Sequence, residues 1–227
     1  MSNNIVAFSN YDNNFSAVNS ITYPHNKTYF DKHDIEYIVF NNSAINMIKT
    51  SSQHVTKCYY IKWLLLQHML ETRYDVDYFF AIDTDIIICD FDIDLRLFTK
   101  LSNRDILLCS VEDCSPNMFW NINAGSMIVK NSDAVKSFIR AYLEIAKLYD
   151  YNIIDQVLLQ GFIDKKPEYR HLFAIFPSCT FNHGGVDSFL YHDCSISTSN
   201  RSLEECIATK TRNLKTAINK LTNKHEQ

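Results

Sequence analysis

Hydrophobic residues in this chain gather into short apolar runs separated by longer stretches at helical spacing. Ile5–Ser9 (IVAFS), Ile35–Phe40 (IEYIVF) and Tyr78–Ile82 (YFFAI) have the length and composition of strands. YFFAI is apolar on both faces, which predicts a central, parallel position. Further strands are expected at Ile106–Val111, Ser126–Val129, Leu172–Phe176 and Phe189–His192. Between them, Asn26–His33 carries a weak helical pattern. Ser51 or Ser52 can cap a helix with Val55, Tyr59, Leu66, Met69 and Leu70 on its apolar side. Asp133 is expected to cap a second helix, striped by Val135, Phe138, Tyr142, Ile145 and Tyr149. Ser202 and Glu205 form a capping box that opens a basic helix towards the carboxyl terminus. Strands alternating with helices predict an α/β sheet of βαβ units, with ligands beyond the carboxyl ends of its strands.

The 227 residues are 46% hydrophobic and 21% charged, which describes a globular chain that needs no disulfide or metal merely to fold. Four glycines and four prolines leave no linker. The expected organisation is one domain over 1–200, with the helix of 201–227 packed on it or extending it. A net charge of −4 argues against a nucleic-acid binder. No apolar run approaches the roughly 18 residues of a membrane span; the longest, Tyr78–Cys89, is broken by Asp83 and Asp85. The opening MSNNIVAFSN carries no basic region and no long apolar core, so a cytoplasmic setting is expected. The seven cysteines are odd in number and never spaced as CxxC, the pattern of free core thiols.

Chemistry concentrates at Asp83-Thr84-Asp85, directly after YFFAI. Two carboxylates leaving a buried strand are costly unless neutralised. Their i, i+2 spacing lets both approach one divalent cation, and hard oxygen ligands suit Mg²⁺ or Mn²⁺ completed by substrate phosphates. A solvated turn with two surface aspartates is the plain alternative. His192 is either a strand-end histidine bonded to backbone or an imidazole ligand, with Asp193 near enough to orient it. His183 is a rival ligand, in a segment whose Gly184 and Gly185 would let backbone approach a phosphate or sugar. Asp155 is a candidate helix cap, and Gly125 suits a bulge or a close approach.

Strand-Asp-Thr-Asp resembles the DxD motif of GT-A glycosyltransferases. Asn123-Ala124-Gly125-Ser126-Met127-Ile128-Val129-Lys130-Asn131-Ser132 is similar to a downstream segment of those enzymes, and so is Asp155-Gln156 followed by Val157-Leu158-Leu159. Phe176-Pro177, Asn182 and Phe189-Leu190-Tyr191-His192 resemble their late stretch. In that order the motifs are most similar to the galactosyl- and mannosyltransferases of glycosyltransferase family 34 and to small soluble relatives in large DNA viruses. The resemblance covers about Ile5 to Cys194. It implies the Rossmann-like GT-A fold of nucleotide-diphospho-sugar transferases, a mixed, mostly parallel central sheet flanked by helices. It also implies metal-dependent hexosyl transfer from a UDP- or GDP-linked sugar to a glycan hydroxyl, with retention.

Residue by residue, the resemblance makes Asp83, Asp85 and His192 ligands of Mn²⁺ or Mg²⁺, with Asp83 also near the ribose. Ser9, Asn10 and Tyr11 would hold the base and ribose, and Lys57 would approach the nucleotide. Asn123, Ala124 and Gly125 would floor the donor sugar, with Gly185 beside the donor. Asp155 and Gln156 would face the anomeric carbon. The basic residues of the last helix, including Lys210, Arg212 and Lys215, would suit a phosphate-bearing acceptor or weak contact with an anionic membrane surface; its apolar stripe suits packing on the domain. Two other classes stay open: a phosphotransferase of the haloacid-dehalogenase type, which also places DxD after an apolar strand, and a nucleotide-sugar-binding module without turnover.

Overall fold

The computed structural model describes residues 3–41, 54–110, 122–177, 180, 185–193 and 202–225. In chain order these hold β1 (Ile5–Asn10), α1 (Ser16–Lys32), β2 (Glu36–Phe40), α2 (His54–Thr72), β3 (Tyr78–Ile82), β4 (Ile86–Ile88), α3 (Phe98–Leu101), β5 (Ile106–Ser110) and β6 (Ile122–Lys130). The order continues with α4 (Asp133–Leu148), α5 (Asp155–Lys165), β7 (Phe173–Phe176), β8 (Leu190–His192) and α6 (Leu203–His225). The main sheet runs β2-β1-β3-β6-β5-β7, and β4 pairs with β8 in a separate ribbon. β1 is parallel to both β2 and β3, and β5 is parallel to β7. β6 is antiparallel to both its neighbours. The sheet is therefore mixed and mostly parallel, as expected. β3 is central, but parallel on one side only.

Strand periodicity of two sorts the core into layers. Val6, Phe8, Phe79 and Ala81 face α2 and α4, whereas Ile5, Ala7, Phe80 and Ile82 face Tyr29 and Phe30 of α1. On α4 the expected stripe is buried at Val135, Phe138 and Tyr142, but the helix continues it through Ile139, Leu143 and Ala146, leaving Ile145 partly buried and Tyr149, just past the helix end, exposed. Ser132, not Asp133, caps that helix: its hydroxyl accepts from Val135 N at 3.3 Å, and Asp133 is the first helical residue. The capping box of α6 is formed as expected, with Glu205 N donating to Ser202 Oγ at 3.2 Å and Ser202 N to Glu205 Oε2 at 2.8 Å. The expected cap at Ser51 or Ser52 lies outside the described residues, as does Val111.

Three elements depart from the sequence pattern. α1 begins well before Asn26, because its buried face carries Thr22 and Asn26 among Val18, Tyr29 and Phe30, and its interior holds Pro24. β6 is longer than Ser126–Val129, since Asn123 and Gly125, residues that usually interrupt strands, lie inside it. β4 is a short strand directly after the aspartates, and it exists because β8 and α1 satisfy its edges. Asn26 Nδ2 donates to Ile86 O at 2.8 Å and Ile88 N donates to Asn26 Oδ1 at 3.0 Å, so this side chain replaces a neighbouring strand.

α6 docks on α1 and β4. Leu214, Ala217 and Leu221 pack with Val18 of α1 and with Ile87 and Cys89. Its apolar stripe is thus turned inward from Ile207 to Leu221, while Leu203 at its start stays exposed. Among the described residues no helix is long and apolar enough to cross a membrane.

Asn26→Ala removes both bonds to β4 and leaves a buried carbonyl and amide unpaired. The expected loss is about 2–3 kcal/mol, a drop in Tm of roughly 5–10 °C. Thermal melting checks it; an unchanged Tm would mean that β4 does not depend on this amide.

Candidate active site

β3 is buried from Phe79 to Ile82 and ends in the turn Asp83-Thr84-Asp85 at the carboxyl side of the sheet. Three bonds fix the turn. Asp83 N donates to Gly125 O at 2.7 Å, Ile86 N donates to Asp83 O at 3.2 Å, and Thr84 Oγ1 donates to Asn10 O at 2.6 Å. The last bond ties the turn to the end of β1. β4 then pairs antiparallel with β8, placing Ile86 opposite His192, and Asp193 N donates to Asp85 O at 3.2 Å. The histidine, more than a hundred residues away in sequence, is thereby set beside Asp85, its Nε2 3.4 Å from Asp85 Oδ1.

The β6 segment beneath it is bowed. β5 pairs with β6 at Ile106–Val129 and Leu107–Ile128, and pairing resumes only at Cys109–Asn123 and Ser110–Ile122. Leu108 therefore stands opposite Ala124 to Met127, an irregularity that re-aims the strand as bulges do. Asn123 Oδ1 closes it by accepting from Gly125 N at 2.7 Å. A Cβ on Gly125 would lie 2.5 Å from His192 Cε1 and 2.8 Å from Asn123 Oδ1. Glycine is needed there because the His192 ring rests on it, a reason distinct from the approach of a sugar.

One donor atom from each of Asp83, Asp85 and His192 lies within 4.8 Å of the others. Two carboxylate oxygens and an imidazole nitrogen suit a small hard divalent ion such as Mn²⁺ or Mg²⁺. The seat cut for the imidazole by Gly125 fits that role. Of the sequence-expected residues, these three are therefore brought together.

Both carboxylates are neutralised by buried lysines that sequence reading had not assigned there. Lys62 on α2 donates to Asp83 Oδ1 at 2.7 Å and also to Ala124 O. Lys210 on α6 donates to Asp85 Oδ2 at 2.6 Å and also to Asp193 O. The Lys62 side chain is 5% exposed and that of Lys210 is 2%. Burial pulls the Lys62 ammonium down, but Asp83, Asp155 and Asp85 together outweigh it and hold its pKa above the ordinary lysine value. Burial likewise pushes the Asp85 carboxyl up, and His192 and Lys210 reverse the effect, holding it well below the usual carboxylate range. Lys210 is thus not an outward-facing charge of the last helix. Signals for both lysines were present: Lys62 interrupts the apolar run YYIKWLLL, and Lys210 takes an apolar position in the series Ile207, Lys210, Leu214, Ala217, Leu221.

Asp155 opens α5 but does not cap it; Ile154 occupies the cap position. The Asp155 carboxylate is buried and accepts from Trp63 Nε1 at 3.0 Å, and its carbonyl accepts from Tyr142 OH at 2.8 Å. Burial raises its pKa, Lys62 and Trp63 oppose the rise, and Asp83 adds to it. Gln156 is half-buried on the next position. Ser9 is buried and bonded to Tyr37 OH at 2.9 Å, while Asn10 and Tyr11 are partly exposed at the end of β1. Tyr11 lines a cleft of about 290 Å³ with Asn19, Tyr23, Tyr37, Val39 and Asn41. Tyr23 stacks on Tyr37 there at 5.8 Å. Gly185 opens the turn before β8, its carbonyl accepting from Ser188 Oγ at 2.6 Å. His183, Asn182, Gly184 and the side chain of Lys57 lie outside the described residues. Asp193 is held by Asn213, whose Nδ2 donates to its Oδ2 at 3.1 Å.

No protein-family model and no curated protein matches the chain. Solved structures do. A glycosyltransferase involved in glycosylation of the major capsid of PBCV-1 superposes with a TM-score of 0.67 at 13% identity, covering 93% of this chain and 98% of that one. The galactosyltransferase LgtC, solved with donor and acceptor sugar analogs, gives 0.54 at 12% identity, covering 93% and 95%. The glycosyltransferase GlyE of Streptococcus pneumoniae TIGR4 gives 0.54 at 13% identity, covering 99% of this chain and 64% of that one. The fold is that of GT-A glycosyltransferases.

Gly125→Ala drives a methyl into the His192 ring. The expected cost is about 1–3 kcal/mol, with displaced imidazole resonances in NMR; wild-type melting and spectra would contradict the seating. Asp85→Asn leaves the Lys210 ammonium without a counter-charge, an expected loss of about 3–5 kcal/mol at neutral pH. Because folding lowers the Asp85 pKa, the advantage of the wild type is full above an ordinary carboxylate value of about 3.9 and fades as pH falls through the folded value. Denaturant titrations at neutral and strongly acidic pH check the sign; a gap independent of pH would contradict it.

Proposed function

We propose that this protein is a metal-dependent glycosyltransferase that moves a hexose from a nucleotide-diphosphate sugar, UDP- or GDP-linked, to a glycan hydroxyl. The observation that carries the proposal is the convergence of Asp83, Asp85 and His192 beyond the carboxyl end of β3, in a fold shared with glycosyltransferases. A bound Mn²⁺ or Mg²⁺ would supply Lewis-acid stabilisation of the departing diphosphate. Asp83, Asp85 and His192 would hold it, and Gly125 would keep the imidazole in place.

The Tyr11 cleft, at the end of β1 and joined to the DxD turn through Asn10 and Thr84, suits the base and ribose. Ser9 would act there through Tyr37, fixing the ring that Tyr23 stacks on. Asn123, Ala124 and Gly125 would floor the donor sugar, Lys57 and Gly185 would flank the nucleotide, and Gln156 would lie beside the anomeric carbon. Asp155, buried against Trp63, is better suited to positioning Lys62 and α5 than to attacking the sugar. That favours transfer with retention on one face of the sugar. The acceptor oxygen bonds to the anomeric carbon, the bond to the diphosphate breaks, and the acceptor proton passes to the leaving diphosphate oxygen. The family 34 assignment rests on the sequence motifs. A phosphotransferase of the haloacid-dehalogenase type is disfavoured because the aspartates follow the third strand, beside antiparallel β6. Buried Cys89, Cys109 and Cys206, none of them in a disulfide, suit a reducing, cytoplasmic setting. The likeness to a glycosyltransferase involved in glycosylation of a major capsid is in keeping with a viral setting.

The test is a thermal-shift screen of UDP- and GDP-sugars with and without Mn²⁺, followed by donor hydrolysis and transfer assays. One sugar nucleotide should raise Tm only with the metal, and Asp85→Ala or EDTA should lower turnover by roughly 10²–10³-fold or more. Full turnover in EDTA would overturn metal dependence. Metal-dependent binding without turnover on any acceptor would identify a binding module instead.

A further inference from the structure

α6 brings one charged side chain into the molecule, and it lands on a candidate metal ligand. Lys210 is 1% exposed and donates to Asp85 Oδ2 at 2.6 Å, leaving Oδ1 to face His192. It also donates to the carbonyl of Asp193, so it spans the start of β4 and the end of β8, the two strand ends that carry Asp85 and His192. Leu214, Ala217 and Leu221 clamp the helix onto Val18, Ile87 and Cys89, so the ammonium reaches solvent only if the helix undocks. Lys62 takes one oxygen of Asp83 in the same way. The remaining nearby carboxylates are engaged elsewhere, Asp155 by Trp63 and Asp193 by Asn213.

A divalent ion approaching these ligands therefore meets two carboxylates that already touch buried ammonium groups. Attraction between each carboxylate and the ion is offset by repulsion from the lysine behind it, in surroundings that screen poorly. We propose that Lys210 is a resident counter-cation that makes the site a weak one for a divalent ion alone, so that the ion binds well only together with the negative charge of a nucleoside diphosphate. The proposal rests on the reading of Asp83, Asp85 and His192 as metal ligands, and adds that the last helix sets the order in which the site is filled. A donor-free protein would then hold little metal, and hydrolytic chemistry at an idle site would be suppressed.

The test is calorimetric titration with Mn²⁺ of the full chain, alone and with saturating UDP or GDP, for wild type, Lys210→Gln and Lys210→Met. Glutamine keeps hydrogen bonds to Asp85 and Asp193 without the charge, and so guards against a failure of the methionine variant to fold. In the wild type the diphosphate should tighten Mn²⁺ binding at least tenfold, and uridine or guanosine should not. Both neutral variants should bind Mn²⁺ alone at least tenfold more tightly than wild type and lose most of the dependence on diphosphate. Lys210→Arg should behave as the wild type. If the folded neutral variants bind Mn²⁺ alone no more tightly while the wild type remains diphosphate-dependent, the role of Lys210 falls and the metal site stands. If the wild type binds Mn²⁺ under neither condition, the metal reading fails and takes this inference with it.

Discussion

A strand buried on both faces that ends in two carboxylates needs positive charge delivered to its tip, and in this protein the charge comes from both sides of the strand in sequence. Lys62 arrives on α2, ahead of the strand, and Lys210 on α6, after every other element. Buried ion pairs of this kind add little net stability over an apolar core, yet removing one partner is severely destabilising. Their effect is to fix arrangement: α2, α6, β3 and β8 can come together only where the charges meet.

Around those pairs, backbone geometry does the aiming. The β4–β8 ribbon sets His192 beside Asp85, the irregular pairing of β5 with β6 bows Asn123 to Gly125 beneath the imidazole, and Thr84 joins the aspartate turn to β1. A cleft lined by Tyr11, Tyr23 and Tyr37 lies on the β1 side of this turn. In an α/β sheet the ends of β1 and β3 are where a ligand is expected, and here they carry an aromatic cleft on one side and the acidic cluster on the other. A sugar nucleotide, with a flat base and a doubly anionic link, matches that division of labour.

Much of this was legible in the sequence. The apolar runs at Ile5, Tyr78 and Ile106 marked strands because burial on both faces leaves an uninterrupted pattern, and Asp83-Thr84-Asp85 stood out because charge follows such a run immediately. Other features were hidden for physical reasons. α1 hid because Thr22 and Asn26 occupy its buried face, so its polarity looks aperiodic. β6 was read too short because Asn123 and Gly125, needed for the bow and for His192, imitate a turn. Lys62 was passed over, and Lys210 was read as an outward charge for an acceptor or a membrane surface, because a lysine on a helix is usually solvated; their apolar neighbours were the available clue. Lys57, picked out for the nucleotide, belongs to the same helix as Lys62, whose contact with Asp83 emerges only once α2 is placed against β3.

The central claim is that the aspartate turn and His192 grip a divalent ion that in turn holds a diphosphate. Anomalous diffraction from crystals grown with Mn²⁺ and UDP or GDP tests it most directly. The account predicts one strong manganese peak bonded to Asp83, Asp85, His192 and phosphate oxygens, with Lys210 still on the far oxygen of Asp85. Manganese and nucleotide bound at another place, with these three side chains touching neither, would contradict it.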